Sequence, residues 1–484
     1  MKPFLSSLRP LPALALALLL GACAATPPEA PPRLALPAAY APSADWQPAP
    51  PPQASGAWWT VFGDARLDAL EAEVAAHNQT LAAQLASYQQ AQAALAQAQA
   101  AYWPTLNASA GVTRSRAGNA SVQAGSIGSS DSVGATASWT PDLWGKVRLQ
   151  VQAGAASAQA SAATLQGTLL SLQGTLAQSY LQLRTVDAQI VLARDTLAAY
   201  ARALELTENT YKAGVDTAAD VAQARTQWLA AQTSLTDLGV TRAQLQDAIA
   251  VLVGQPASSF VLAADPTLPE VPELPPGLPA QLLLRRPDLV AAQAQVAAAN
   301  AQIGVAQSAW FPDLTLGAQG SSTAVRLAEL FSAPSLVWSI GPQLAATLFD
   351  GGLRSAQLQA SRAAYQQTVA NYRGAALSAL QQVEDELAAQ RILAQEAAQQ
   401  AEVVQAAGVS LRLAENQYKA GTAPYLNVIA AQNVETGARN AALSLRERRY
   451  TAAVGLIQAL GGGWDGLPVA APDVAAAALA KPAQ

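Results

Sequence analysis

At 484 residues and 49.7 kDa the chain has length for about three ordinary domains, yet its composition excludes ordinary globules. Hydrophobic residues reach 51% while aromatics stop at 6% and charged residues at 13%, so the apolar share is mostly Ala, with Gln, Ser and Thr between, a mixture suited to long helices packed closely on small side chains. A formal charge of −5 excludes a basic nucleic-acid binder, and one Cys, one His and one Met leave little for a disulfide framework, a metal site or a cofactor.

The N-terminus reads as a targeting segment, residues 1–22. Lys2 and Arg9 supply a positive region, and Leu11 to Leu20 an apolar one. It closes on Leu20-Gly21-Ala22-Cys23, which looks like a bacterial lipoprotein cleavage signal, with the only Cys at the residue that would be acylated. Cleavage would remove two bases and no acids. Residues 23–57, rich in Pro and Ala, read as a lipidated tether. Ala24, in place of the Asp that commonly signals inner-membrane retention, favours the outer membrane.

Helical patterning is expected from Asp64 to about Tyr102. An internal repeat then organises the chain. Tyr211-Lys212-Ala213-Gly214 recurs as Tyr418-Lys419-Ala420-Gly421, and Trp103-Pro104-Thr105-Leu106 as Phe311-Pro312-Asp313-Leu314. Leu143-Trp144-Gly145-Lys146-Val147-Arg148 recurs as Phe349-Asp350-Gly351-Gly352-Leu353-Arg354. The offset is always about 207 positions. Residues 58–252 and 285–466 are therefore expected to be two copies of one module, joined by a Pro-rich connector, 253–284, and followed by a flexible tail, 467–484. Each copy should read helix, two strands, very long helix, turn, long helix. Lys146–Lys212 and Leu353–Lys419 contain no proline and predict helices about 100 Å long. Val215–Val253 and Ala423–Leu460 are the expected returning partners, and Pro287 with Asp288 starts a helix running to Trp310.

Four segments switch to a period of two. Leu106, Ala108, Ala110 and Val112 alternate with polar neighbours, as do Val133 to Leu143, Leu314 to Ala318, and Leu336 to Leu348. Segments of about ten residues suit tilted strands of an outer-membrane barrel. Trp103, Trp144, Trp310, Phe311 and Phe349 gather at one end, as an interfacial girdle would. Four strands cannot close a barrel, so other copies must complete it, and twelve strands from three copies leave an aqueous lumen where eight would not.

Several motifs then resemble one family. Trp58-Trp59-Thr60-Val61-Phe62-Gly63-Asp64 with Asn78, Leu284-Arg285-Arg286-Pro287-Asp288-Leu289 continuing through Ala301 to Ala306, and Ala459-Leu460-Gly461-Gly462-Gly463-Trp464 are similar to the outer-membrane factor family of bacterial efflux systems (the TolC, OprM and NodT group). The resemblance implies an α+β fold, mostly long α-helices, in a homotrimer with a 12-stranded barrel continuous with a periplasmic helical barrel. It implies an inner-membrane pump of the RND type, a periplasmic adaptor, and passive conduction gated at the helical tips. Tyr211, Gly214, Val215, Tyr418, Gly421 and Thr422 fall at the implied adaptor-docking tips. Asp216, Asp220 and Leu426 are the candidate gate residues; helix-start stabilisation is the alternative for the two acids. Ala430 and Asn433 stand where the family often carries an Asp and an Arg, so an ion-pair gate does not transfer to this chain.

No catalytic set is expected. Gly461, Gly463 and Gly466 fit a dinucleotide pattern but follow a helix rather than a strand. Gly145-Lys146 lacks a phosphate-binding loop, His77 reads as helix surface, and Glu384-Asp385-Glu386 as a solvated face. A non-pore scaffolding lipoprotein is the competing reading. Drugs or other small organics are the expected cargo, with heavy-metal ions as the alternative; the scarcity of thiol, thioether and imidazole ligands weighs against metals.

Overall fold

The computed structural model describes residues 56–116, 127–272 and 285–462; Cys23, the tether and the tail lie outside them. A 3₁₀ turn, Trp58–Phe62, leads into α1 (Ala65–His77) and α2 (Gln79–Ala100), then strands β1 (Thr105–Arg116) and β2 (Ile127–Trp139). The very long α3 (Lys146–Lys212) and the returning α4 (Ala218–Leu252) complete the first half. The second half repeats this with α5 (Pro287–Ser308), β3 (Asp313–Ala324), β4 (Leu336–Ala345), α6 (Leu353–Lys419) and α7 (Tyr425–Ala459).

Both 67-residue helices have the bounds that the proline-free spans predict. Gly145 and Gly352, in left-handed conformation at φ 81° and 94°, turn the chain into them. In each junction an acid ties down the first turn: Asp142 accepts from the amides of Val147 and Arg148, and Asp350 from those of Gly352 and Arg354. Arg354 also donates to Asp350 at 2.6 Å, which lowers that carboxyl's pKa.

Other expected bounds move. The helix expected from Asp64 to Tyr102 is broken at Asn78, whose extended backbone ends α1 while its side chain accepts from Leu81 N to cap α2. Strand β2 stops at Trp139 and β4 at Ala345, so Leu143 and Leu348 lie beyond the strands. Pro141 cannot donate to a ladder, and the apolar alternation that continues past it is carried by turn backbone. α4 and α7 begin later than expected because Thr217 and Pro424 occupy their N-cap positions, and α5 ends at Ser308.

The break at Asn78 has a counterpart 208 positions on, at Arg286. Asn78 donates to the carbonyl of Leu252, the last residue of α4. Arg286 donates to the carbonyl of Ala459, the last residue of α7. In both repeats, then, a lower helix ends against the start of an upper one, and the upper helix's cap residue satisfies a carbonyl orphaned by the lower helix's end. α3 packs along both α4 and α2, and α5 and α7 lie between α3 and α6.

A core gathers at this level. Trp58, Phe62, Leu67, Leu70, Val74, Tyr180, Ile249, Val253, Phe260, Leu262 and Tyr450 pack together with Leu176 and Val454. Phe260 and Leu262 belong to the Pro-rich connector, so its described part contributes to the core. Its carbonyls also receive arginines: Leu262 from Arg242, Thr267 from Arg184, and Pro269 from Arg446. Close approach of helices elsewhere depends on missing side chains. A Cβ on Gly174 would fall 1.8 Å from Gln458 Nε2, and one on Gly455 2.6 Å from Glu386 Oε1. Glu386, expected on a solvated face, is thus half-buried against α7, and burial raises its pKa.

Candidate functional site: the strand faces and the helical tips

The four strands form one antiparallel sheet in the order β1-β2-β3-β4. Registry converts the alternation into two chemically distinct faces. Leu106, Ala108 and Ala110 of β1 stand opposite Ala137, Ala135 and Val133 of β2. Ala137 stands opposite Ala318 of β3, which stands opposite Ile340 of β4. The other face reads Asn107, Thr136, Gln319 and Ser339 along one rung, and Ser109, Gly134 and Ser321 along the next. β1 and β4 are edges, and both are exposed along their whole length. No helix among the described residues is long and apolar enough to cross a membrane.

The expected girdle residues cluster where strands meet helices, in two arrangements. Trp103, Trp310 and Phe349 are exposed, Phe349 to 88%. Trp144 instead stacks on Phe311 with centroids 5.0 Å apart, and its indole donates to Pro312 O at 2.7 Å. Arg354 lies 4.8 Å over the Trp310 ring. Trp139, missed by the girdle reading, donates to Tyr102 O and joins the set.

At the far end of α3 and α6 the two tips have the same backbone. Gly214 (φ 78°) donates to Tyr211 O and Val215 to Thr210 O; Gly421 (φ 69°) donates to Tyr418 O and Thr422 to Gln417 O. These are Schellman closures, in which glycine takes the left-handed position. Tyr211 and Val215 are exposed, Val215 to 75%. Asp220 and Thr217 form a capping box at the start of α4, and these hydrogen bonds lower the pKa of Asp220. The helix-start role therefore fits Asp220. Asp216 differs: it accepts from the Thr210 hydroxyl, and Thr210 also bonds Tyr418 of the other tip. Burial and the charge of Asp216 together raise the Tyr418 phenol.

Tyr418 packs on Tyr425 at 5.1 Å, and burial pushes the Tyr425 phenol up to about 12. Leu426 beside it is 57% exposed. Two turns further along, Asn433 accepts from the buried Tyr200 hydroxyl at 2.7 Å. An uncharged bond between α3 and α7 thus occupies the position where an Arg is common in the resembled family. Sequence reading missed Tyr200 because its partner lies 233 residues away.

The family model for outer membrane efflux proteins matches residues 70–255 and 278–462. The chain belongs to the outer membrane efflux protein family. The pyoverdine export outer membrane protein OpmQ of Pseudomonas aeruginosa is 34% identical over 468 residues, covering 95% of this chain and 98% of that protein. The probable outer membrane lipoprotein SilC of Salmonella typhimurium is 27% identical, covering 84% of this chain and 88% of its own. The crystal structure of VceC from Vibrio cholerae superposes with a TM-score of 0.76 at 28% identity, over 85% of this chain and all of that one. This efflux protein is accordingly an outer-membrane channel component, and its long helices and small antiparallel sheet are those of the TolC-like fold.

Proposed function

We propose that three copies close a 12-stranded barrel in the outer membrane, with the helices forming a tunnel below it, and that the assembly passively conducts drugs or other small molecules. The supporting observation is the sheet itself, with an apolar face, a polar face and two unpaired edges. Within hydrocarbon such edges must be paired, and identical copies joined β4 to β1 provide the pairing. The outer-facing side chains are then Leu106, Ala110, Val133 and Ile340, and the lumen is lined by Asn107, Thr136, Gln319 and Ser339. Trp103, Trp310 and Phe349 lie at the membrane surface in this arrangement, and Cys23 carries the lipid anchor. OpmQ, by its name, exports pyoverdine, which agrees with a small-molecule cargo.

In this reading a periplasmic adaptor docks on the tips around Tyr211, Gly214, Val215, Tyr418, Gly421 and Thr422, and delivers cargo from an inner-membrane pump of the RND type. Leu426 narrows the passage, while Asp216 and the Tyr200–Asn433 bond hold the tips together. Asp220 serves the helix cap instead. The module bounds 58–252 and 285–466 follow the same duplication, with the connector built into the core.

Cysteines introduced at Ala108 and Ser109 in a variant lacking Cys23 test the barrel. An aqueous thiol reagent is expected to label Ser109→Cys and spare Ala108→Cys, on a trimer whose gel mobility changes with heating. Equal labelling at both positions would overturn the barrel and favour a scaffold. A second expectation concerns position 340, near the middle of β4 and 75% exposed. Ile340→Arg should cost about 2–4 kcal/mol by placing a charge in lipid, seen as loss of trimer from the outer membrane. Ser339→Arg should leave the trimer intact and change single-channel ion selectivity.

A further inference from the structure

The outer-facing side of the sheet changes character abruptly at the end of β1. Strict registry runs from Thr105↔Ser138 to Arg116↔Ile127 without a bulge. Arg114 and Arg116 therefore share a face with Leu106, Ala108, Ala110 and Val112. They stand two positions apart, about 7 Å along the strand, and both are exposed. Among the described residues neither has an ion-pair partner. The opposite face carries Thr113 and Ser115 on β1, with Ser130 and Gly128 across from them. The arginines thus avoid the polar face and continue the apolar one past its end.

All helices leave the sheet from its other end, where Lys146 lies 3.9 Å from Asp313. The arginine end is the end away from the helical body, which in the barrel reading faces the cell exterior. A third base, Arg326, follows the end of β3 and is exposed, at 3.8 Å from Glu329. Asp131 shares the outer face opposite Val112, one rung nearer the membrane centre. Three arginines against these two acids leave the rim positive in a chain of net charge −5.

An apolar band that ends in outward-facing guanidinium groups fits one environment. The aliphatic stems lie along the hydrocarbon while the charged heads reach the headgroup level. Guanidinium binds phosphate oxygens through paired hydrogen bonds. We propose that Arg114 and Arg116 form a docking site for the phosphate groups of glycolipid in the outer leaflet, with Arg326 strengthening the same rim. The site rests on the barrel reading above, because only a closed barrel presents this face to lipid.

The test uses the full-chain trimer in mild detergent, with bound lipid read by native mass spectrometry. The probes are bis-phosphorylated lipid A, the same lipid stripped of phosphate, and inorganic phosphate as competitor. The wild type is expected to retain the phosphorylated lipid about fivefold or more over the stripped one. R114Q/R116Q should retain both equally while remaining a heat-modifiable trimer, and R114K/R116K should recover part of the preference. Equal retention by the wild type, or an undiminished preference in R114Q/R116Q, overturns the proposal. Displacement by millimolar inorganic phosphate also overturns it, since the site would then be one for small anions. Failure of the barrel reading registers separately, as a wild type that gives no heat-modifiable trimer and labels equally at Ala108→Cys and Ser109→Cys.

Discussion

Arg184→Ala is expected to destabilise the level where the helices break by about 3–5 kcal/mol, the cost of stranding charges in a protein interior. Arg184 is nearly buried on α3 and meets three segments at once. Nη1 donates to Tyr180 Oη at 2.7 Å and lies 3.4 Å from Asp64; Nη2 lies 2.8 Å from Asp265; Nε and Nη2 both reach the carbonyl of Thr267. Asp64 is also the N-cap of α1, accepting from the amides of Arg66 and Leu67. The guanidinium therefore ties α3 to the start of α1 and to the connector. Its loss leaves Asp64 facing the Tyr180 hydroxyl with no compensating charge.

The measurement is the denaturant midpoint of the trimer, with limited proteolysis of the connector alongside it. Arg184→Lys should fall between wild type and alanine, because an ammonium keeps the charge but cannot span all three partners. Asp265→Asn should cost under about 1 kcal/mol, since that partner is half-exposed. An alanine variant as stable as wild type would show that the cluster contributes no net stability.

Glu71→Gln is expected to stabilise the same region. Glu71 is fully buried on α1 among Leu67, Leu70 and Val74, and neither carboxylate oxygen has a hydrogen-bond partner among the described residues. Burial first, and the neighbouring Asp68 second, raise its pKa from 4.5 to about 9. The folded chain thus holds a proton that the unfolded chain releases. Stability is fully present below about pH 4.5 and is lost as the pH rises towards 9. At pH 7 the loss amounts to about 3 kcal/mol. Glutamine has the shape of the neutral acid without the titration. Unfolding midpoints of wild type should therefore fall between pH 5 and 9 while those of Glu71→Gln change less, the two converging at the acid end. Parallel pH profiles for the two proteins would show that Glu71 is ionised at no cost.

The parts of this architecture that were legible in the sequence are those fixed by local rules. The ends of α3 and α6 follow from glycines at 145, 352, 214 and 421 and from proline-free spans between them. The sheet faces follow from alternation, which registry then carries across all four strands. The break at Asn78 was not legible, because neither proline nor glycine marks it; a side chain bonded to Leu252 O, 174 residues away, holds it. The packing of the connector's described part was hidden for a related reason. Its prolines mark where the repeats join, while Phe260 and Leu262 are buried in the core and three carbonyls accept from arginines of distant helices. At the tips, the glycine turns were readable, but the Tyr200–Asn433 bond and the Tyr418–Thr210–Asp216 chain appear only when α3, α6 and α7 are side by side.

The two bare edges of the sheet have a genetic consequence. With closure through three copies, every barrel needs three sound β4-to-β1 seams, and a copy damaged at either edge spoils one of them and with it the closure. A cell making equal amounts of intact and edge-damaged chain would then assemble only about one wholly intact trimer in eight. Lesions in β1 or β4 should thus behave as dominant inhibitors of export, whereas lesions that prevent the chain from folding at all should be recessive.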